Sequence, residues 1–185
     1  MSYDIYCYRS KLDNPSLDEA QAALEIDESR EASFDSEEKW KIAKALLDYN
    51  PSLETSEFVS NCISRTYEGI IENVNDSIDH IELNEKSTDL ALQISIFDDN
   101  VCISTPYWYS GDEAERLFEK VSEYTKIIRK SVGYFVYDPQ TDKVFDPLIE
   151  SLFDTDLYNS TTRQVDLMRE EQNRIPDKQP WWKFW

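Results

Sequence analysis

Between Leu90 and Tyr137 the hydrophobic residues change period twice, and this switching leaves few folds open. In Leu90-Ala-Leu-Gln-Ile-Ser-Ile-Phe97 the large aliphatics fall on every second position, the period of a strand with one buried face. Asp98-Asp99-Asn100 supplies turn chemistry. Val101, Ile103 and Thr105 continue the alternation until Pro106, which has no N–H to give a central ladder. The period then becomes helical: Ser110-Gly-Asp-Glu113 matches a capping box, and Ala114, Leu117, Phe118, Val121, Tyr124 and Ile128 recur at three- and four-residue spacing before Gly133. Tyr134-Phe-Val-Tyr137 resumes the strand pattern. The stretch predicts a β-hairpin, a helix over 112–131 and a further strand.

The flanks extend this plan. Tyr3-Asp-Ile-Tyr-Cys-Tyr8 reads as an opening strand, and Ser16-Leu-Asp-Glu19 caps a short, weakly apolar helix expected at the surface. A clearer helix over 37–49 follows, with Trp40, Ala43 and Leu47 as its stripe, widened by Leu46, until Asn50-Pro51 stops it. Residues 52–76 fit either a helix or two extended pieces. His80-Ile-Glu-Leu-Asn84 alternates as a strand. Lys143-Val-Phe145 is a second hairpin arm or an edge strand, Asp146-Pro147 can start a helix through Leu152, and a polar helix is expected over 161–173. The fold class implied is α+β: a mostly antiparallel sheet of about four to six strands with helices packed on one face. Residues 1–160 form a single domain in this reading, and 161–185 a helical and aromatic C-terminal tail. Ile5, Trp40, Leu47, Leu92, Ile94, Ile96, Val101, Ile103, Leu117, Phe118, Val121, Ile128, Phe135 and Tyr137 are the expected core.

A chain of 185 residues, 40% hydrophobic and 13% aromatic, can build one ordinary core despite a mean hydropathy of -0.64. No apolar run reaches the roughly 20 residues of a membrane span, and the first residues lack the basic start of a signal peptide, so a cytoplasmic location is expected. Cys7, Cys62 and Cys102 are odd in number and widely spaced, as in reduced thiols. The 38 acidic against 19 basic residues give a net charge of -19. That charge repels nucleic acid and anionic membranes, and it attracts a cationic protein by steering that weakens with salt. Acidity also serves solubility alone.

Motifs for catalysis are missing. A single histidine, His80, cannot assemble a three-histidine zinc site, and three glycines leave no phosphate-cradling loop or nucleophile elbow. Asp138, Asp142 and Asp146 recur every fourth residue, but calcium loops need oxygens at alternate positions with a central glycine and a closing glutamate. Neither a metal, a cofactor nor a catalytic residue is expected, and the chain reads as a non-enzyme. A hydrolase with an unrecognised carboxylate site ranks third.

Two stretches suggest binding. Tyr107, Trp108 and Tyr109, rimmed by Asp112 and Glu113, either plug the end of the core or form an aromatic anchor, since Tyr and Trp favour interface centres. Asp27, Glu28, Glu31, Asp35, Glu37 and Glu38 form an acidic run with only Arg30 opposing them, suited to a basic partner. At the C-terminus, Trp181, Trp182, Phe184 and Trp185 surround Lys183, a segment for docking onto the protein's own groove, a partner or a second copy. The membrane-interface alternative is opposed by the net charge.

With its Tyr-Asp-Pro-Gln turn at 137–140 and its closing Pro-Trp-Trp-Lys-Phe-Trp at 180–185, this small acidic chain resembles uncharacterised bacterial immunity-type proteins that neutralise toxins. The resemblance covers those two stretches only. It implies a stoichiometric inhibitor of a cationic partner, possible targets including a nuclease-like toxin domain. The alternative reading is a self-associating scaffold, a homo-oligomer held by its aromatic tail.

Overall fold

The two-residue alternation of the sequence becomes one sheet. A computed structural model describes residues 2–12, 15–24, 37–56, 80–85, 90–150, 153 and 155–174, with side chains of the last helix up to residue 168. Its strands are β1 (Ser2–Tyr8), β2 (Leu53–Glu54), β3 (Ile81–Glu85), β4 (Gln93–Ile96), β5 (Asn100–Pro106), β6 (Phe135–Asp138) and β7 (Lys143–Phe145). They pair in the order β2-β3-β4-β5-β1-β6-β7, every neighbour antiparallel. Among the described residues the helices are α1 (Leu17–Leu24), α2 (Glu37–Tyr49), α3 (Asp112–Val132) and α4 (Thr155–Arg174). The α+β architecture with an antiparallel sheet is as the pattern predicts. The seven strands described exceed the expected four to six by β2, whose two residues are too few to show a period and lie in the stretch that fits either a helix or extended pieces.

β1 is the keystone. It lies between β5 and β6, with Ile5 opposite Ile103 and Cys7 between Val101 and Val136, so it joins the β4–β5 hairpin to the β6–β7 hairpin. The inward residues Tyr3, Ile5, Cys7, Ile81, Leu83, Ile94, Ile96, Val101 and Ile103 share one core with Ile42, Ala43 and Leu46 of α2, Leu117, Val121, Tyr124 and Ile128 of α3, and Tyr158 of α4. Each aliphatic side chain fully removed from water there contributes about 1.5–3 kcal/mol. α1 lies on the reverse face, where Ala20 packs on Tyr8, Phe135 and Tyr137, the residues that alternate with the inward Cys7 and Val136.

Caps decide the helix ends. Ser16 Oγ accepts the Glu19 N–H at 3.2 Å as expected, but the Glu19 carboxylate turns to Ser10 Oγ and the Lys11 N–H instead of closing the box. The second box does not form: Gly111 is the N-cap of α3, at φ 55°, and having no side chain it makes no cap bond. Gly133 ends α3 in the left-handed region, φ 82°, its N–H donating to Arg129 O at 2.9 Å.

Several sequence expectations shift. α2 buries Lys39, Ile42, Ala43 and Leu46, while Trp40 and Leu47 are only half-buried, because Lys39 pairs with Asp98 at 2.8 Å and turns the helix toward the β4–β5 turn. The helix expected from Asp146 is a single turn through Ile149, with Leu148 and Ile149 exposed and no face to bury. α4 starts six residues before the expected 161 and runs through the 160/161 boundary, with Tyr158 buried and Val165 packed on the core, so body and tail share an element. Cys62 and nearly all of 52–76 fall outside the described residues.

Candidate functional site

The junction between β5 and α3 sorts its aromatics by direction. Tyr107 points inward, stacked on Tyr158 with ring centres 5.3 Å apart, and meets Tyr3 edge-on at 5.9 Å. Tyr109 also points inward, and its hydroxyl accepts the Ala91 N–H. Trp108 between them is 55% exposed, its ring against the edge of Tyr109. Beneath lies an aromatic base of Tyr3, Phe118 and Tyr158, mutually edge-on at 5.2–5.7 Å, while the Tyr158 hydroxyl donates to Pro106 O. Each such ring pair is worth about 0.5–1.5 kcal/mol beyond its burial. Only Trp108 of the three thus reaches the surface; Tyr107 and Tyr109 plug the core.

Charge along α3 is graded. Asp112, Glu113 and Glu115 occupy its first turn and Glu119 follows, all exposed, whereas Arg129 and Lys130 stand at its last turn. This order complements the helix dipole and is stabilising by itself. It also puts Asp112 and Glu113 four and five residues after Trp108 in the chain. The positive end is consumed by the fold: Arg129 forks onto Asp146 at 2.7 and 3.1 Å and lies 3.9 Å over the Phe135 ring.

Of the acidic run, Glu37 is exposed at the start of α2, and Glu38 is tied to Arg9 and accepts from the Tyr134 hydroxyl at 3.0 Å. Asp27, Glu28, Glu31 and Asp35 lie outside the described residues, as do Trp181, Trp182, Phe184 and Trp185. The structure does not bring Glu37 and Glu38 to Trp108. The start of α2 sits by the β4–β5 turn through Lys39 and Asp98, whereas Trp108 follows the other end of β5, about 20 Å away along seven residues of strand.

Two carboxylates are buried by partners that their spacing in the sequence does not show. The Glu85 side chain, 1% exposed, accepts from Lys120 Nζ at 3.0 Å, Tyr124 Oη at 2.8 Å, Asn50 Nδ2 at 3.0 Å and Ser52 Oγ at 3.1 Å. Burial disfavours its charged form, but the donors led by Lys120 outweigh this and hold it below the ordinary glutamate range. Asp138, fully buried, accepts from Tyr3 Oη at 2.6 Å and the Gln140 N–H at 2.9 Å. With its amide nitrogen oriented as its neighbours require, Gln140 also donates to Asp4 O and Asp138 Oδ1. Only their tertiary partners distinguish these acids from the other carboxylates of the sequence.

Asp138, Asp142 and Asp146 do not converge, since Asp138 serves Tyr3, Asp146 serves Arg129 and Asp142 is exposed at φ 53°. His80 stacks on Phe97 and contacts Glu82 at 2.9 Å. Burial pushes the Cys7 thiol far up and raises Cys102. An open groove of about 930 Å³ runs beside α3, with Phe118, Phe153 and Tyr49 among its apolar walls and charges of both signs along it, Glu115, Glu119 and Glu123 with Arg116, Lys120 and Lys126. Among the described residues no group of three histidine, cysteine or acidic side chains is placed to hold a metal, and no helix is long and apolar enough to cross a membrane. Comparison of the chain with models of known protein families, with curated proteins and with solved structures finds no match.

Proposed function

We propose that this chain is an acidic binding protein of the immunity type, a stoichiometric inhibitor that occludes a cationic protein in the cytoplasm without turnover. The observation that carries this reading is Trp108. A large aromatic side chain left more than half exposed, while both its neighbours are buried, has no evident part in the core. Its ring meets the edge of the buried Tyr109, and the exposed carboxylates of Asp112 and Glu113 follow at the start of α3, the composition of an interface anchor with a charged rim. A tryptophan has only two side-chain torsions to fix on binding, and the net charge of -19 accelerates encounter with a basic surface. Occlusion needs contact alone, which agrees with carboxylates already saturated by the fold at Glu85 and Asp138.

The test is affinity purification of the tagged protein from its own cell lysate at low salt, with mass spectrometry of the proteins eluted in equal amount. One basic protein, released by moderate salt and weakened at least about thirtyfold by Trp108→Ala, is the expected result, in line with the 2 kcal/mol or more typical of a central aromatic anchor. Asp112→Lys with Glu113→Lys should slow association more than it speeds dissociation. Recovery of no basic partner, or a partner indifferent to Trp108→Ala, would remove this surface from consideration.

A further inference from the structure

Lys39 meets Asp98, Lys120 meets Glu85 and Arg129 meets Asp146, so each of these shielded carboxylates carries its charge beside a cation. Asp4 has no such cation among the described residues. It lies half-buried between the inward Tyr3 and Ile5, on the face of β1 turned away from the main core, and its Oδ2 accepts from Ser2 Oγ at 3.1 Å. Its Oδ1 is shut off from water and accepts no hydrogen bond from the described residues. A charged oxygen in that state opposes folding, since water has been removed and no donor replaces it.

The strand register places this carboxylate at the Trp108 end of the sheet. Asp4 stands opposite Ser104 on β5, and Ser2 opposite Pro106. Trp108 follows Ser104 by four residues, at most about 14 Å of chain, and β5 is about 5 Å from β1, so Asp4 and Trp108 lie within about 15 Å of each other. Burial, and after it the charge of Asp4, raises the pKa of the Tyr107 hydroxyl, beside Trp108 in the chain. One side of a standard interface covers about 800 Å², a disc about 32 Å across, and takes in both residues.

Building on the binding-protein reading, on which this assignment rests, we infer that Asp4 receives an arginine side chain of the cationic partner seated on Trp108. A guanidinium suits the site better than an ammonium. Its planar fork offers parallel N–H groups to both carboxylate oxygens, and it sheds water more readily. The last torsion of an aspartate is broad, so the bare Oδ1 turns outward at little cost. The carboxylate then weakens the free protein and strengthens the complex.

Asp4→Asn separates the two effects, because it keeps the shape and removes the charge. The urea midpoint of the isolated full chain should equal or exceed that of the parent. The basic partner should bind the variant at least about tenfold more weakly, the loss expected for a charge-assisted hydrogen bond. A probe that needs no partner is N-acetyl-arginine amide, titrated into the isotope-labelled full chain beside its neutral analogue N-acetyl-citrulline amide. The arginine compound should shift the backbone amides of residues 3–6 and 103–105 saturably, the citrulline compound should not, and Asp4→Asn should abolish the shifts. A lowered urea midpoint in Asp4→Asn would assign the carboxylate to the fold and overturn the inference. So would a partner weakened by Trp108→Ala yet indifferent to Asp4→Asn, or arginine shifts that are absent or survive the substitution. Recovery of no basic partner sinks the binding-protein reading instead, and saturable shifts lost in Asp4→Asn would then still support a guanidinium site at Asp4.

Discussion

At the residue scale, Glu85 shows how a surface-type residue becomes part of the fold. It ends the short strand β3, and its donors come from α3, from Asn50 after α2 and from Ser52 before β2, so one carboxylate ties three segments together. Its folded pKa is depressed, so its stabilisation is present above the unfolded value of about 4.3 and is lost as pH falls through the folded value. Glu85→Gln should therefore cost about 2 kcal/mol at pH 7 and flatten the acid side of the stability curve, read from urea midpoints between pH 3 and 7. If the variant loses the same stability at every pH, the charge on Glu85 is irrelevant. Asp138 differs because its oxygens meet a hydroxyl and amide donors rather than a cation. Tyr3→Phe removes the donor at 2.6 Å and leaves a buried carboxylate oxygen short of a partner, an expected loss of about 1–3 kcal/mol by the same measurement. The sequence could not separate these two acids from their neighbours, because spacing along the chain carries no information about donors arriving from other elements.

At the scale of elements, α2 and α3 show where periodicity is reliable and where it is not. All six stripe residues read for α3, from Ala114 to Ile128, are buried, since a long helix across a sheet has a single face to offer. The stripe of α2 is rotated. A pattern that counts lysine as polar cannot foresee that Lys39 is buried, and this side chain is buried because Asp98 neutralises it from the β4–β5 turn. Lys39→Ala should cost about 2–3 kcal/mol by leaving Asp98 without its cation, measurable as a lowered urea midpoint. An unchanged midpoint would return the orientation of α2 to its apolar residues alone. At the other helix end, Gly133→Ala meets no close atom, the nearest being an Arg129 nitrogen at 3.6 Å, so its cost is the backbone strain of φ 82°, about 1–2 kcal/mol. α4 was half missed because its stretch is mostly polar; Tyr158 anchors it through ring contacts with Tyr3, Tyr107 and Phe118 that only folding assembles.

On the scale of the whole molecule, the dominant quantity is charge. At -19 the native state repels itself, so added salt should raise the melting temperature of the isolated protein by screening, within a Debye length of about 8 Å at physiological ionic strength. A melting temperature that falls with salt would show that attractive pairs such as Arg129 with Asp146 and Lys39 with Asp98 outweigh the net repulsion. The sequence by itself determined the α+β class, the central hairpin, the long helix and most of the core, because these rest on periods of two and 3.6 residues, which are properties of neighbours along the chain. Tertiary structure alone decided that β1 lies between β5 and β6, that Lys39, Glu85 and Asp138 are interior, and that Trp108 faces water while Tyr107 and Tyr109 do not. Those outcomes depend on which distant groups meet a given side chain, and burial of a charge or ring is favourable only when the partners that satisfy it arrive from elsewhere in the fold.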